Sequence, residues 1–279
     1  MIKADYINFK KFEKLSYDLR KSILMSAKKS GGRGAHLGGT MSCVDILIYL
    51  YFSKVLKYFK KVPDHPLRDR LYIGKGHAHL ALYHIWSKIG FINKKKLNSY
   101  TRNGTKLSVQ LDHFIAGSEY NTGSLGHVIG VGIGTALKAR IDKNKFKVFC
   151  LIGDGECESG SIWESVLCAS KLKIKNLVVI VDMNKMSEMQ KLDGKSDIEL
   201  KNKFKSYNWN TIIADGHSFS SLRKAFSKQF KNNYPTVIIA NTIKGKGVSY
   251  MENKVEWHHQ APSQEQFNLA LKEYINEKN

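Results

Sequence analysis

A short acidic turn, GDGECESG at residues 153–160, joins an apolar run to a segment with helical character. A glycine-rich turn between a strand and a helix usually presents backbone N–H groups to a phosphate. This turn also carries three carboxylates, Asp154, Glu156 and Glu158, which would repel an anion. A divalent cation would remove the conflict, because Mg2+ takes hard oxygen ligands and completes its octahedron with phosphate oxygens.

A second polar segment, VDMNKM at residues 181–186, could supply further oxygen ligands. Its Asn184 lies two residues past Asp182, at the end of another apolar run. Ligands of parallel sheets bind beyond the carboxyl ends of the strands, where this segment and the acidic turn would meet. We therefore predict a metal-bridged diphosphate held by Asp154, the amide oxygen of Asn184 and the backbone carbonyl of Met186.

Three known glycine-containing motifs do not match the acidic turn. A dinucleotide-binding fingerprint needs glycine where Glu158 stands, and a P-loop needs a Gly-Lys-Ser/Thr sequence that does not follow. An EF-hand loop that starts at Asp154 would need glycine at Ser159. An ordinary acidic turn that caps the next helix stays open when the turn is considered alone.

The composition indicates a globular protein without a nucleic-acid or membrane partner. The chain has 279 residues, is 42% apolar and carries a net charge of +21. Its lysines are dispersed, with one triplet at 94–96, which is typical of solvated faces and not of a nucleic-acid stripe. The longest apolar run, at 46–52, is too short to span a bilayer, and the four cysteines form no C-x-x-C pair. We expect one domain over 1–279 and a cytoplasmic location.

Alternating β-rich and amphipathic runs predict an α/β fold. Strands are expected at 71–73, 146–152, 177–182, 209–213 and 236–242. Helices are expected at 10–29, 43–58, 77–89, 124–140, 161–172, 219–230 and 264–276. A capping-box pattern, Ser42-x-x-Asp45, precedes the second helix. This alternation predicts a parallel sheet with helices on both faces.

Several motifs in one order resemble the N-terminal half of transketolase. GDG followed about thirty residues later by N is the thiamin diphosphate motif of that family. The segments SGGRGAHLGG, RDRLYIGKGHA, EYNTGSLGH and NTIKGKGVSYMENKVEWHHQAP are also similar, so the resemblance covers nearly the whole chain. It implies the thiamin diphosphate-binding fold, with thiamin diphosphate and Mg2+ (or Ca2+ or Mn2+) as cofactors. It also implies transfer of a two-carbon ketol unit between sugar phosphates.

The resemblance implies a role for individual residues. His36 is expected to face the substrate and assist proton transfer, His77 to lie beside the diphosphate, and His258 to contact cofactor and substrate. His259 takes the place of His258 in an alignment counted back from Ala261. The expected cofactor contacts are His77, Gly123, Ser124, Leu125, Gly155, Asn184, Lys244 and His258. The expected metal ligands are Asp154, Asn184 and Met186.

Two positions depart from the family pattern. Gln110 stands where transketolases carry a histidine that contacts the donor's hydroxyl groups, and glutamine cannot take a proton at neutral pH. His113 could compensate only if the loop were rearranged. Ser159 replaces a glutamate that couples paired active sites, although Glu158 precedes it. The donor and acceptor sugars therefore stay open.

The resemblance also implies a partner subunit. Transketolases continue past the matched region with a second domain, whose glutamate protonates the aminopyrimidine of the cofactor. We expect a separate polypeptide with this pyrimidine-binding half, assembled with the chain as a symmetric heterotetramer. The loops around His36, His77 and Gly123 are expected to face it. A different thiamin enzyme and a non-enzymatic role stay open as alternatives.

Overall fold

A computed structural model describes residues 8–31, 36–187, 190–192, 196–228 and 230–276. Within these ranges, five parallel strands form a sheet in the order β1-β2-β3-β5-β4. The strands are β1 Arg70–Ile73, β2 Val148–Gly153, β3 Leu177–Met183, β4 Asn210–Asp215 and β5 Thr236–Asn241. The predicted parallel sheet is confirmed, and the predicted strand ends differ from the observed ones by at most two residues.

Helices flank the strands throughout the described ranges. The α-helices are α1 Phe9–Lys29, α2 Leu37–Ser42, α3 Val44–Phe52, α4 His79–Ile89, α5 Val128–Ile141, α6 Gly160–Lys171, α7 Asp197–Ser206, α8 Phe219–Ser227 and α9 Gln264–Asn276. Short 3-10 helices span Gly76–Ala78, Lys94–Ser99, Gly155–Glu158 and Val255–His258. The described helices include none that is both long and apolar enough to cross a bilayer.

The alternation of side chains along β2 creates a hydrophobic core on each face of the sheet. Phe149 and Leu151 pack in one core with residues of α1, α3 and α4. Cys150 and Ile152 pack in the other core with residues of α5, α6 and α7. Successive strand residues point to opposite faces, so a strand covered on both sides must be apolar at nearly every position. The predicted coverage of both faces is confirmed.

The prediction of one helix over 43–58, opened by a capping box, is wrong. Cys43 separates α2 from α3, and its side chain makes no capping hydrogen bond. The Ser42 hydroxyl donates to the Asp182 carboxylate at 2.6 Å, and Asp45 is buried against an arginine. Both residues have long-range partners, which a local capping pattern cannot reveal.

Other helix assignments also differ from the prediction, which did not include α2. Helix α7 was not predicted, although the Ser196 hydroxyl accepts from the Glu199 backbone N–H at 2.9 Å in the first part of a capping-box pattern. The helix predicted over 124–140 begins only at Val128. The helix predicted over 219–230 ends three residues early.

Four adjacent strands end at one edge of the sheet, and each leads into a loop with polar side chains. The loops after β1, β2, β3 and β5 contain His77, Asp154, Asn184 and Lys244. The Asp154 backbone N–H donates to the Asp182 carbonyl at 3.3 Å, which continues the β2–β3 pairing past the strand end. The parallel sheet thus brings together side chains that lie far apart in sequence.

Two glycines of α5 have different surroundings, so the same substitution at each of them tests how α5 packs against the sheet. A Cβ atom at Gly132 would lie 2.8 Å from the Cys150 sulfur, whereas a Cβ at Gly134 would meet nothing within 4 Å. We expect Gly134→Ala to raise the free energy of unfolding by about 1 kcal/mol, because alanine favours the helix. Gly132→Ala should lower it by about 1–3 kcal/mol, because it overpacks the core. Denaturant unfolding of the chain measures both, and changes of the same sign would contradict this packing.

Candidate functional site

A cavity of about 420 Å3 opens at the edge of the sheet where β1, β2, β3 and β5 end. The predicted residues that line it are His36, His77, Gly123, Leu125, Asp154, Gly155, Asn184, Met186, Lys244 and His258. Ser124 is not part of the lining, and its hydroxyl lies 3.2 Å from the Nδ1 atom of His127. The fold therefore brings all but one of the predicted site residues to a single cavity.

The acidic turn and the Asn184 segment lie against each other in this cavity. The two carboxylate oxygens of Asp154 accept from the backbone N–H groups of Gly155 at 3.0 Å and Lys185 at 2.6 Å. The Asn184 side-chain oxygen accepts from the Met186 N–H at 3.1 Å. A Cβ atom at Gly155 would lie 4.0 Å from the Met186 carbonyl oxygen. The hydrogen bonds fix the orientation of the Asp154 carboxylate and the Asn184 amide, two of the groups that the sequence predicts as metal ligands.

The oxygen atoms of this region suit a hard divalent cation. They comprise the Asp154 carboxylate, which is 1% exposed, the Asn184 amide oxygen and the Met186 backbone carbonyl. In the part of the chain that the structure describes, no group of three or more His, Cys, Asp or Glu side chains could hold a metal ion. A cation here would thus need the amide and carbonyl oxygens together with oxygens of its ligand, as Mg2+ accepts.

Histidine rings surround the mouth of the cavity. The centroids of His36 and His77 are 5.4 Å apart, and those of His77 and His258 are 5.0 Å apart. Burial, followed by the charge of Lys75, lowers the pKa of His77 well below its ordinary value. Burial, followed by Lys244, lowers the pKa of His258 to about 4. Both imidazoles are therefore neutral at pH 7, and each offers one donor and one acceptor nitrogen.

His258 and His259 occupy different positions relative to the cavity. His258 is part of the lining, and its ring centroid lies 5.4 Å from that of His36. His259 is exposed and is not part of the lining, although its ring lies 4.5 Å from the His36 ring. Of the two histidines left open by the sequence, His258 is the one that can contact a ligand inside the cavity.

A buried ion pair that was not predicted lies at the cavity wall. Lys75 is 2% exposed, lines the cavity and forms an ion pair with Asp182, which also accepts from the hydroxyl groups of Ser42 and Thr242. Burial opposes both charges, but the mutual attraction outweighs it, so the pKa of Lys75 is raised and that of Asp182 is lowered. The sequence signal for this group is a lysine two residues after the end of β1 and two residues before His77.

Glu156 is a second unpredicted group of the site. It is 3% exposed, and its two carboxylate oxygens accept from the backbone N–H groups of Gly126 at 2.8 Å and Gly153 at 3.3 Å. Burial raises its pKa. Glu158, in the same turn, is exposed. The acidic turn is thus not simply a surface cap, because one of its carboxylates is a buried acceptor.

Lys244 joins two parts of the cavity wall. Its side chain is fully buried, and its ammonium group donates to the Ser187 carbonyl at 2.8 Å. The ammonium nitrogen also lies 3.4 Å from the Nδ1 atom of His258. Lys244 therefore connects the segment after β3 to the histidines at the mouth.

A chain of buried polar groups fixes the loop that carries Lys244. The Ile243 backbone N–H donates to the Nε2 atom of His217 at 2.9 Å, so Nδ1 carries the proton and donates to Asp45 at 2.7 Å. The Asp45 carboxylate also accepts from Arg20 at 2.7 Å. This chain links α1 and α3 to the loop after β5 and explains why Asp45 is buried.

Gln110 lines the cavity, and its side-chain oxygen is buried. Among the described residues nothing donates to its buried Oε1 atom, which a Cβ at Gly76 would approach to 2.5 Å. His113 is exposed, and its Nδ1–H group donates to the Asn121 side-chain oxygen at 2.8 Å. It is not part of the lining, so it does not replace Gln110. The Gln110 oxygen is thus a buried acceptor packed against Gly76 behind the cavity wall.

Residues 20–276 match the family model described as transketolase, thiamine diphosphate binding domain. The chain is 34% identical over 276 residues to one of the subunits of apulose-4-phosphate transketolase from Actinobacillus succinogenes, and the match covers 97% of the chain and 98% of that protein. It is 37% identical over 241 residues to transketolase of Homo sapiens, and this match covers 84% of the chain. The chain spans only 37% of the length of that human relative.

Solved transketolases share the fold. The structure from Campylobacter jejuni matches 96% of this chain and 43% of that chain with a TM-score of 0.88 at 24% identity. The structure from Leishmania mexicana matches 95% of this chain and 41% of that chain with a TM-score of 0.84 at 23% identity. At such identities the likeness supports the fold alone. With the family match and the relatives above, it follows that this chain is a transferase of the transketolase family with the thiamin diphosphate-binding fold.

Proposed function

We propose that the chain is the subunit of a two-subunit transketolase that binds the diphosphate of thiamin diphosphate together with Mg2+. The enzyme transfers a two-carbon ketol unit from a ketose phosphate to an aldose phosphate in the cytoplasm. One observation carries the proposal: the Asp154–Gly155 turn meets the Asn184–Met186 segment in a cavity with three histidines. The full-length likeness to a protein whose name makes it one subunit of a transketolase supports the two-subunit form, with residues 1–279 as one domain.

The residues at the base of the cavity hold the cation and the diphosphate. Asp154, Asn184 and the Met186 carbonyl are the metal ligands, and the cation offsets the charge between the acidic turn and the diphosphate. Gly155 lines the cavity beside these ligands and is the proposed backbone contact to the diphosphate. Lys244 adds a buried positive charge beside this base.

The residues at the mouth orient the cofactor and the sugar. Thiamin diphosphate supplies the nucleophilic carbon and the electron sink needed to break a carbon–carbon bond beside a carbonyl. Gly123 and Leu125 line the cavity, and the backbone of the segment Gly123–Leu125 would contact the cofactor. Neutral His77 and His258 would donate and accept hydrogen bonds. His36 takes a proton from a substrate hydroxyl group and returns it.

A partner subunit completes the site in this proposal. Leu125 lines the cavity and is 44% exposed, and Tyr120 in the same loop is 37% exposed. Apolar side chains beside an open functional cavity are typical of a surface that another protein covers. The partner carries the pyrimidine-binding half, meets the loops of His36, His77 and Gly123, and forms a heterotetramer with two copies of each chain.

The metal assignment is tested by Asp154→Ala in the complex with the partner. We expect Mg2+-dependent affinity for thiamin diphosphate to fall at least about a hundredfold, because the cation loses its only carboxylate among the three proposed ligands. Calorimetry measures the affinity, and Glu158→Ala, which removes an exposed carboxylate of the same turn, should leave it unchanged. Unchanged affinity in a folded Asp154→Ala complex would contradict the assignment.

The two-subunit form is tested by separating the chain from its partner. The purified chain should transfer no ketol unit and should bind thiamin diphosphate weakly, because the pyrimidine side of the cofactor has no contacts. Adding the partner should restore turnover on the order of 1–10³ per second. Turnover in that range by the chain alone would show that no partner is needed.

The role of Gln110 is tested with a panel of donors that includes apulose 4-phosphate, xylulose 5-phosphate, fructose 6-phosphate and sedoheptulose 7-phosphate. We expect Gln110→His to raise kcat/KM for xylulose 5-phosphate about tenfold, because an imidazole can take a proton and an amide cannot. His113→Gln, outside the cavity, serves as the control and should change nothing. No change or a loss in Gln110→His would mean that this position serves another donor.

A further inference from the structure

Glu156 stands between three segments that form the cavity wall. Its carboxylate accepts from Gly126 at 2.8 Å and from Gly153 at 3.3 Å, and a Cβ atom at Gly74 would lie 2.3 Å from one of its oxygens. Gly74 follows β1, Gly153 ends β2, and Gly126 ends the segment that lines the cavity at Gly123. One buried carboxylate therefore contacts the carboxyl ends of β1 and β2 and the segment that precedes α5.

A hydrogen bond to this carboxylate joins the segment 123–126 to the acidic turn. Among the hydrogen bonds of the described residues, the bond from the Gly126 N–H to Glu156 is the one that joins this segment to another part of the chain. The other bonds of the segment, between Ser124, Leu125 and His127, are internal to its turn. Loss of the carboxylate would therefore release the segment from the acidic turn.

The fit around the carboxylate requires glycine at position 126. Gly126 has φ +84°, and a Cβ atom there would lie 2.5 Å from the Ser161 hydroxyl oxygen. A left-handed residue packed this closely admits no side chain without strain. The backbone thus approaches α6 closely enough for its N–H to reach Glu156.

We infer that Glu156 is a positioning residue that holds the segment 123–126 against the acidic turn and so prepares the cavity for its ligand. The carboxylate suits this task because two N–H groups converge on it and both of its oxygens accept. A glutamine would turn its NH2 group toward one of these donors and leave that buried N–H without an acceptor. The expected effect of Glu156 on cofactor binding rests on the function proposed above. The hydrogen bonds of Glu156 are independent of that function.

The first test is amide hydrogen exchange of the full-length chain, followed by mass spectrometry of overlapping peptides from 121–128. We expect the Gly126 amide to exchange at least about tenfold more slowly than the amides of Ser124 and Leu125, because it alone has a buried acceptor. Equal exchange at these three positions in the unsubstituted chain would overturn the inference without any variant.

The second test compares Glu156→Gln with Glu158→Gln, which changes an exposed glutamate of the same turn. Glu156→Gln should speed exchange of the Gly126 amide about tenfold while peptides from 177–183 in β3 keep their protection. The control should match the unsubstituted chain. If β3 also loses protection, Glu156→Asp is the second variant: it keeps the charge but shortens the reach, and it must also speed exchange at Gly126.

Affinity for thiamin diphosphate in the complex with the partner separates this inference from the proposed function. Glu156→Gln should raise the Kd about tenfold, the equivalent of about 1.4 kcal/mol, with Glu158→Gln unchanged. The Glu156→Gln variant could exchange faster at Gly126 while the unsubstituted complex binds no thiamin diphosphate. This result would refute the proposed function but would leave the positioning role of Glu156 intact. Equal affinity of Glu156→Gln and the unsubstituted complex would overturn the role of Glu156 in preparing the cavity.

Discussion

The parallel pairing of β2 with β3 is the constraint on which the site depends. Its register places Gly153 opposite Asp182, so the acidic turn and the Asn184 segment begin side by side. The pairing continues past the strands, because the Asp154 N–H donates to the Asp182 carbonyl and the Asp154 carboxylate accepts from Lys185. A shift of one residue would turn the side chains of one strand to the opposite face and separate these groups.

Buried polar groups beneath the cavity keep this arrangement in place. Lys75 and Asp182 neutralise each other, Glu156 accepts from two backbone N–H groups, and Lys244 donates to a backbone carbonyl. Burial of such groups without partners would be costly, whereas satisfied groups fix the positions of the loops that contain them. The same burial and positive charges keep His77 and His258 neutral, so the cavity wall combines buried lysines with uncharged histidines.

The sequence was most informative where the signal is periodic or strictly ordered. Apolar runs predicted all five strands of the sheet, and GDG followed by Asn184 predicted the place where two strand ends meet. It was least informative for polar residues with distant partners. Ser42 and Asp45 match a local cap, but their partners lie 140 and 25 residues away in Asp182 and Arg20. Glu156 belongs with these, because Gly126 is 30 residues distant.

The proposed site depends on a divalent cation that joins the acidic turn to a diphosphate in this cavity. The most direct measurement is a crystal structure of the complex with its partner, grown with thiamin diphosphate and Mn2+, in which anomalous scattering locates the metal. We expect one peak within coordination distance of Asp154, the Asn184 side-chain oxygen and the Met186 carbonyl, with diphosphate oxygens as its other ligands. A diphosphate bound in this cavity without a metal at these three oxygens, or a metal bound elsewhere, would contradict this expectation.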